Sequence, residues 1–232
     1  MRAGTLAVLL LLLAPAARAI TPWSAVRGTA GRLWHGTLGF PGAVVRDWRQ
    51  AVPFVITTGL LIIFADAPLS QQIESPELER TSQRWSDRGL LEIEPAFTLA
   101  AVALEDRCLF CVRTGRFALA AVTTEAYTTA SVAALKYSTG RERPYTPHDG
   151  DGGFNESGRS FPSGHSAGAF ALAALLAGHD RQASWVNRIG YVLAGGVGAA
   201  RFTAKEHFPS DIVVGAALGT LLGRCALQCP GN

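Results

Sequence analysis

The chain carries, in this order, the motifs Lys136-Tyr-Ser-Thr-Gly-Arg-Glu-Arg143-Pro144, Pro162-Ser163-Gly164-His165-Ser166 and Arg201-Phe-Thr-Ala-Lys-Glu-His207-Phe-Pro-Ser-Asp211. Their candidate site residues are three cations (Lys136, Arg143 and Arg201), two histidines, the carboxylate of Asp211 and a turn of small residues that precedes an apolar run. Cations that neutralise oxyanions, together with imidazoles that carry protons, are what a phosphate-handling site without a metal needs. The three motifs therefore predict one such site, which the fold must assemble.

The first and third motifs supply the predicted phosphate-binding cations. A phosphate monoester carries close to two negative charges, which stay spread over its oxygens during transfer. Lys136 and Arg143 flank one loop, and Arg201 comes from a separate segment. Arginine suits this task because its planar guanidinium meets two oxygens at once. Each residue taken singly is more often a solvated surface charge, so the prediction depends on their combination.

The second motif predicts an anion-binding turn at the start of a helix. The first backbone N–H groups of a helix lack internal partners and carry the positive end of its dipole. Gly164 lets the backbone approach an oxyanion closely, and the Ser163 hydroxyl adds a hydrogen-bond donor. The alternative is an ordinary serine N-cap with a surface histidine, His165, beside it.

Two histidines predict the nucleophile and the proton carrier. A neutral imidazole nitrogen of His207 can attack phosphorus if a carboxylate holds the other nitrogen as N–H, and Asp211 lies four residues further on. Pro209 favours a helix start between them, so His207 would precede a helix whose first turn contains Asp211. His165 would donate a proton to the leaving alkoxide and afterwards take one from water.

The remainder of the chain has the pattern of helices joined by polar loops. No run alternates with the strict two-residue period of a strand, and glycine and proline fall between the apolar runs. We expect helices over about 47–65, 76–88, 95–108, 115–136, 165–178, 184–201 and 210–227. In the last of these, Gly215, Gly219 and Gly223 recur every fourth residue, so one face is smooth enough for a neighbouring helix to approach closely.

Four apolar charge-free runs are too short to predict a membrane span. They cover 50–65, 95–104, 189–200 and 212–223. None reaches the roughly 18 residues that a spanning helix needs. These lengths favour a helical bundle resting on or near a membrane, with an embedded bundle as the alternative.

The N-terminus predicts export. A basic start at Arg2, an apolar run over 6–13 and the small residues around Ala19 have the pattern of a cleaved secretory signal peptide over residues 1–19. An uncleaved anchor helix is the alternative. We therefore expect the protein in the periplasm.

Four cysteines accompany that export signal: Cys108, Cys111, Cys225 and Cys229. An even number in an oxidising compartment favours disulfides, and three connectivities are open. A zinc site formed by all four thiolates is the alternative.

Residues 20–94 are expected to form an N-terminal strap with accessory helices, and residues 95–232 the main helical bundle. Within 20–50, three tryptophans lie among four arginines, a mixture that suits contact with a membrane surface. The alternative is a strap whose tryptophans pack against the main domain.

Composition excludes two classes of protein. Apolar residues make up 48% of the chain, too many for a disordered protein. The net charge of +3 is too small to indicate nucleic-acid binding. Neither value indicates an oligomeric state.

The three motifs resemble the signature of the type 2 phosphatidic acid phosphatase and vanadium haloperoxidase superfamily, K-x6-RP, PSGH and SR-x5-H-x3-D. One departure is Ala200, where the signature has serine. The resemblance covers residues 95–225 and implies an all-α bundle. It also implies a phosphohistidine intermediate on His207 and no requirement for a metal or other cofactor.

This combination favours a phosphatase acting on a lipid phosphate or a polyprenyl pyrophosphate outside the cytoplasm. One alternative is a soluble acid phosphatase of broad specificity. A vanadate-dependent haloperoxidase is a more distant alternative, since the chain is short for such enzymes. A catalytically silent anion-binding protein is the most distant, because all the expected reactive residues are present.

Overall fold

The computed structural model describes residues 26–34, 48–73, 75–106, 112–145, 152–154, 158–179 and 184–228, and every regular element in these ranges is helical. The helices are α1 (26–34), α2 (Trp48–Leu60), α3 (Asp66–Gln71), α4 (Pro76–Arg88), α5 (Glu94–Glu105), α6 (Val112–Thr139), α7 (Gly164–His179), α8 (Ser184–Thr203) and α9 (Pro209–Gln228). Single π-helical turns, Leu61–Ala65 and Gly89–Ile93, join α2 to α3 and α4 to α5. The all-α prediction and its seven helices are confirmed, while α1 was not predicted.

The charge-free run over 50–65 is shorter than the apolar helical segment that contains it. Helical structure continues through Asp66, so Val52–Gln71 is long and apolar enough to cross a membrane, as is Pro209–Leu227. The first is only 11% buried within the protein, and the second 44%. The expectation that no apolar helix reaches spanning length is therefore wrong. It failed because Asp66 is fully buried against Arg141 and does not interrupt the helix as an exposed charge would.

Helix α7 lies at the centre of the bundle. Its buried side chains are mostly alanine and leucine, and it packs against α6, α8 and α9. Small side chains on a central helix let its neighbours approach on several sides at once. The second motif stands at the N-terminus of α7, so the core helix itself carries part of the predicted site.

The glycine face of α9 packs directly on α7. A Cβ atom added to Gly215, Gly219 or Gly223 would lie 2.5, 2.0 or 2.3 Å from a main-chain carbonyl oxygen of α7 or the residue before it. The predicted smooth face is thus used for close helix contact. Near the N-termini of α7 and α9, the Ser163 N–H donates a hydrogen bond of 3.0 Å to the Asp211 carbonyl. The second and third motifs are adjacent as a result.

We expect the Gly219→Ala substitution to lower the free energy of unfolding by about 1–3 kcal/mol, because the added methyl forces α7 and α9 apart. Gly195, a helical glycine of α8, is the matched control, since a Cβ added there would have no atom within 4 Å. Gly195→Ala is expected to raise stability by about 0.5–1 kcal/mol, because alanine restricts the unfolded chain. Thermal unfolding followed by circular dichroism measures both. Equal melting temperatures for the two variants would contradict the close packing.

The N-terminal strap is described in part. Leu33 of α1 is fully buried with Leu222 and Ala226 of α9, and Arg32 donates to the Ala226 carbonyl at 2.7 Å. Trp34 remains largely exposed. The strap therefore packs on the bundle at α1, while the predicted signal peptide, Trp23 and the side chain of Trp48 lie outside the described residues.

Cys225 is disulfide-bonded, which excludes the four-thiolate zinc site. Cys108, Cys111 and Cys229 lie outside the described residues. Which of the three connectivities applies stays a prediction.

Candidate active site

The predicted site residues gather at one end of the bundle. Lys136 is close to the C-terminus of α6 and Arg201 close to that of α8, whereas His165 and Asp211 are in the first turns of α7 and α9. The charges interact across this region, since Arg143, Asp211 and Arg201 are all close enough to Lys136 to affect its pKa. The structure brings all three motifs together.

His207 faces the carboxylate of Asp211. The Nδ1 atom lies 3.6 Å from Oδ2, slightly beyond an ordinary hydrogen bond, and the imidazole is only 2% exposed. The Ser160 hydroxyl lies 3.4 Å from the same Nδ1 and donates to Oδ2 of Asp211 at 2.6 Å. The Phe208 N–H also donates to Oδ2, at 2.9 Å. This arrangement favours the tautomer with the proton on Nδ1 and leaves Nε2 with its lone pair.

A buried arginine holds the carboxylate of Asp211 from its other side. Arg141 is fully buried and donates from Nη1 to Oδ1 of Asp211 at 2.6 Å and to the Ser210 hydroxyl at 2.7 Å. Its Nη2 donates to Asp66 at 2.7 Å, and Asp66 also accepts from the backbone N–H and the hydroxyl of Ser210. One cation therefore sits between two buried carboxylates, and Asp211 is fixed by contacts from three segments.

The second histidine has a carboxylate partner of its own. The Nε2 atom of His165 lies 2.9 Å from Oδ1 of Asp87, which is on α4. Nη1 of Arg201 lies 3.3 Å from the same Asp87 oxygen and also contacts the Ser86 hydroxyl. Asp87 therefore links the predicted proton carrier to one of the predicted phosphate-binding cations.

The three cations have different surroundings. Nη1 of Arg143 contacts Glu206, and Nη2 of Arg201 lies 3.1 Å from the same carboxylate. Nζ of Lys136 donates to the carbonyls of Arg159 and Ser160, on the segment that leads into the second motif. The Nε–H of Arg201 is buried and has no acceptor among the residues that the structure describes. A buried donor of this kind is available to an anion.

Ser163 caps helix α7. It is fully buried, and its hydroxyl accepts a hydrogen bond from the Ser166 N–H at 3.4 Å. Its own N–H is used by the Asp211 carbonyl. The Ser163 hydroxyl therefore serves the helix as its N-cap. An anion cradle at this turn would use Gly164 and the residues after it.

Burial determines the ionisation of the two imidazoles. It lowers the pKa of His207 to about 3, although Asp211 acts in the opposite direction. Burial and the charge of Arg201 lower the pKa of His165 to about 4, against the effect of Asp87. Burial and the neighbouring Arg143 lower the pKa of Lys136 to about 8. At neutral pH both histidines are therefore uncharged, and Lys136 is still largely protonated.

Several residues of the site escaped sequence reasoning: Asp66, Asp87, Arg141, Ser160 and Glu206. Three signals were present, since Asp66 is the one charge in a long apolar helix, Arg141 lies inside the first motif and Glu206 lies inside the third. Nothing in the local sequence marks Asp87. Contacts such as Arg201 with Asp87 cross the predicted division at residue 95, and that division stays a prediction.

Comparisons with known proteins identify the family of the chain and some of its relatives. The family model described as the PAP2 superfamily matches residues 117–232. A lipid A 1-phosphatase of Porphyromonas gingivalis is 40% identical over 93 residues, which is 40% of this chain and only 19% of that protein's length. The match therefore covers less than a fifth of that relative.

One solved structure is similar in fold, and a second superposes less closely. LpxE of Aquifex aeolicus superposes with a TM-score of 0.50 and 23% identity, over 70% of this chain and 94% of that one. A transmembrane PAP2-type phosphatidylglycerolphosphate phosphatase of Bacillus subtilis gives a TM-score of 0.46 and 22% identity, over 82% and 90% of the two chains.

The family match covers the part of the chain that contains the three motifs. It starts inside α6, ends with the chain, and contains all three motifs and both histidines. It covers half of the sequence. The chain therefore belongs to the PAP2 superfamily.

Proposed function

We propose that this protein is a phosphatase that removes a phosphoryl group from a lipid phosphate through a covalent intermediate on His207. The observation that carries the proposal is the buried pair of His207 and Asp211, 3.6 Å apart, beside three cations. A neutral imidazole with one nitrogen held by a carboxylate is an activated nucleophile. The family membership supports the same reaction class.

In the proposed first step, Nε2 of His207 attacks phosphorus, a P–N bond forms and the P–O bond to the leaving group breaks. Asp211 stabilises the positive charge that develops on the imidazole. Lys136, Arg143 and Arg201 neutralise the non-bridging oxygens, and the buried Nε–H of Arg201 gains an acceptor. The helix start after Ser163 contributes the positive end of α7.

His165 is proposed to carry the protons. It donates one to the oxygen of the leaving alcohol as the P–O bond breaks. In the second step it accepts a proton from water, whose oxygen attacks phosphorus and displaces His207. The products are the free alcohol and inorganic phosphate. The pH profile tests this role, because His165 must be protonated to act as the acid.

We expect the Asp87→Asn substitution to move the basic limb of the kcat/KM profile to lower pH. The carboxylate of Asp87 raises the pKa of His165, so its removal lowers that pKa below about 4. At a given pH above the pKa, the protonated fraction then falls roughly tenfold for every pH unit by which the pKa drops. The profile is measured from about pH 3 to 8 with an alkyl phosphate, whose leaving group needs a proton.

A nitrophenyl phosphate is the matched control, because its leaving group departs without a proton. If Asp87 acts through His165, its removal slows the alkyl ester more than the nitrophenyl ester. An equal loss on both esters would show that Asp87 only supports the position of Arg201, which it also contacts at 3.3 Å.

We infer a lipid substrate from the surface of the protein. Val52–Gln71 is largely unburied, and its exposed side chains include Val55, Ile63 and Phe64. Apolar helical surface of this extent indicates contact with lipid. The relative from P. gingivalis is named for a lipid phosphate substrate as well. A lipid-bound enzyme would meet a phosphorylated headgroup at the bilayer surface.

The exposed face of α4 also supports a position at the bilayer surface. Arg80, Arg84 and Arg88 follow one another at helical spacing on the exposed side, and Trp85 beside them is 59% exposed. Ser82 and Ser86 form the buried face of this helix, and Asp87 next to them contacts His165. Arginine and tryptophan together suit the anionic interface of a membrane.

We further propose that the protein is exported. The disulfide of Cys225 supports this, because disulfides persist in oxidising compartments. The proposed signal peptide over residues 1–19 is consistent with it. Labelling of an accessible cysteine variant in intact cells would locate the chain.

The test of the function compares two esters. The purified full-length chain is assayed with diacylglycerol phosphate in mixed micelles and with nitrophenyl phosphate in the same micelles, both with a chelator. We expect kcat/KM to be at least about tenfold higher for the lipid, because binding of the acyl part contributes to catalysis. Vanadate, which imitates the five-coordinate phosphoryl group, should inhibit both reactions.

The other outcomes identify the alternatives. Equal or better turnover of the small ester would contradict a lipid substrate and favour the broad-specificity acid phosphatase. Loss of activity with the chelator would contradict the metal-independent mechanism. Oxidation of halide by hydrogen peroxide in the presence of vanadate would indicate a haloperoxidase.

A further inference from the structure

The carboxylate of Glu206 occupies the space between two arginines of the site. Its Oε2 contacts Nη1 of Arg143 and lies 3.1 Å from Nη2 of Arg201. Its Oε1 accepts from Nε2 of Gln83 at 3.2 Å. The side chain is only 11% exposed. One buried carboxylate is therefore held by two guanidinium groups and an amide.

The backbone conformation before Glu206 directs its side chain into the space between Arg143 and Arg201. Lys205 has a φ of +53°, in the left-handed region that non-glycine residues rarely adopt. The N–H of Glu206 donates to the Arg201 carbonyl at 3.2 Å, which closes the turn after α8. Lys205 itself points to α4, where Nζ lies 3.5 Å from Glu79. Glu206 thus faces the two arginines, while Lys205 faces α4.

The contacts of Glu206 are those that a phosphoryl group would require. Arginine binds carboxylate and phosphate oxygens through the same planar fork. Arg143 and Arg201 are two of the three cations that the proposed function assigns to substrate. Lys136, Arg143 and Arg201 bear three positive charges, and Glu206 cancels one of them. The partly buried position strengthens this effect, since fewer water molecules screen it.

We propose that Glu206 is a built-in competitor for the phosphate site: it occupies the guanidinium groups of Arg143 and Arg201 in the free protein and is displaced when a phosphoryl group binds. This inference rests on the proposed function and adds a residue that sets anion affinity. The carboxylate weakens the binding of phosphate anions. It weakens the binding of the product, inorganic phosphate, as well, and so promotes its release. The movement required is local, because rotation of one side chain vacates both arginines.

The experiment measures the binding of inorganic phosphate and of vanadate to the purified full-length protein by titration calorimetry. The variant Glu206→Gln keeps the shape and the hydrogen bond to Gln83 but removes the charge. We expect it to bind both anions about tenfold more tightly than the wild type, because a competing charge at hydrogen-bond distance is removed. Inhibition by phosphate in the turnover assay should strengthen by the same factor.

Glu79→Gln is the matched control. It removes the same charge from a carboxylate that pairs with Lys205 beside the site and leaves the two arginines in place. Its phosphate affinity should stay within about twofold of the wild type, since a more exposed charge is screened by solvent. Glu206→Ala provides a second neutral variant, expected to follow Glu206→Gln, if the glutamine variant does not fold.

The outcomes separate this inference from the proposed function. If the wild type hydrolyses phosphate esters but neutral variants at position 206 bind phosphate equally well or more weakly, Glu206 is not a competitor and the inference is wrong. If the wild type neither hydrolyses esters nor binds phosphate or vanadate, the proposed function itself is wrong. Tighter binding in Glu79→Gln to the same degree would also overturn the inference, because the effect would then be one of net charge.

Discussion

Substitution of His207 by alanine is expected to reduce turnover by at least about 10³-fold, because it removes the imidazole that forms the proposed P–N bond. The imidazole is 2% exposed and its Nδ1 faces Asp211 and Ser160. Loss of the ring removes the nucleophile and leaves the cations and the helix end in place. Phosphate binding should therefore decline far less than turnover.

Two measurements check this expectation. Steady-state turnover of diacylglycerol phosphate is compared between variant and wild type, with circular dichroism to verify the fold. A rapid alkaline quench with radiolabelled substrate should trap an acid-labile phosphoprotein in the wild type and none in His207→Ala.

His179→Gln is the control, since His179 lies at the other end of α7, against the ring of Phe117. It is expected to keep wild-type turnover. A His207→Ala protein with more than about a tenth of wild-type turnover would contradict the nucleophile assignment.

Substitution of Arg141 by methionine is expected to lower the free energy of unfolding by about 3–5 kcal/mol, the range found when one partner of a buried ion pair is removed. Arg141 is fully buried between Asp66 and Asp211, which are also fully buried. Its guanidinium lies over the ring of Phe208 at 4.4 Å as well. Methionine preserves much of the volume but leaves two carboxylates without this cation.

Chemical denaturation in detergent, followed by circular dichroism, measures the change. Arg159→Met is the control, because Arg159 is exposed and contacts the ring of Tyr137 at 4.6 Å. It should lose no more than about 1 kcal/mol.

The double variant Arg141→Met with Asp66→Asn should recover part of the loss, because one uncompensated charge is removed. No recovery would show that packing, and not charge, accounts for the effect. A loss for Arg141→Met as small as that for Arg159→Met would contradict the ion-pair network.

The sequence predicted the helical elements with errors of only a few residues at most ends. Helix α9 begins at Pro209, so that His207 precedes it and Asp211 lies in its first turn, as expected. The glycines of α9 predicted its close approach to a neighbour. These features depend on local geometry, because proline favours the first turn of a helix and glycine allows close contact between helices.

The exposed apolar helix was misread because a charge was taken as a boundary. Asp66 has its partner 75 residues away in Arg141. Because this partner is buried too, the charge of Asp66 does not end the apolar helix. Hydropathy along the chain cannot reveal a partner so distant in sequence.

Three motifs in order were sufficient to predict the family, and they contain the two predicted histidines and the three predicted cations, because these residues lie in short segments at the spacing of the family signature. Helix packing alone brings two of the surrounding carboxylates to their partners, Asp66 to Arg141 and Asp87 to His165 and Arg201, whereas Glu206 lies inside the third motif. Such pairs join residues up to 114 positions apart in the case of Asp87 and Arg201. Their formation depends on the directions in which separate helices present their side chains, and local spacing does not encode that.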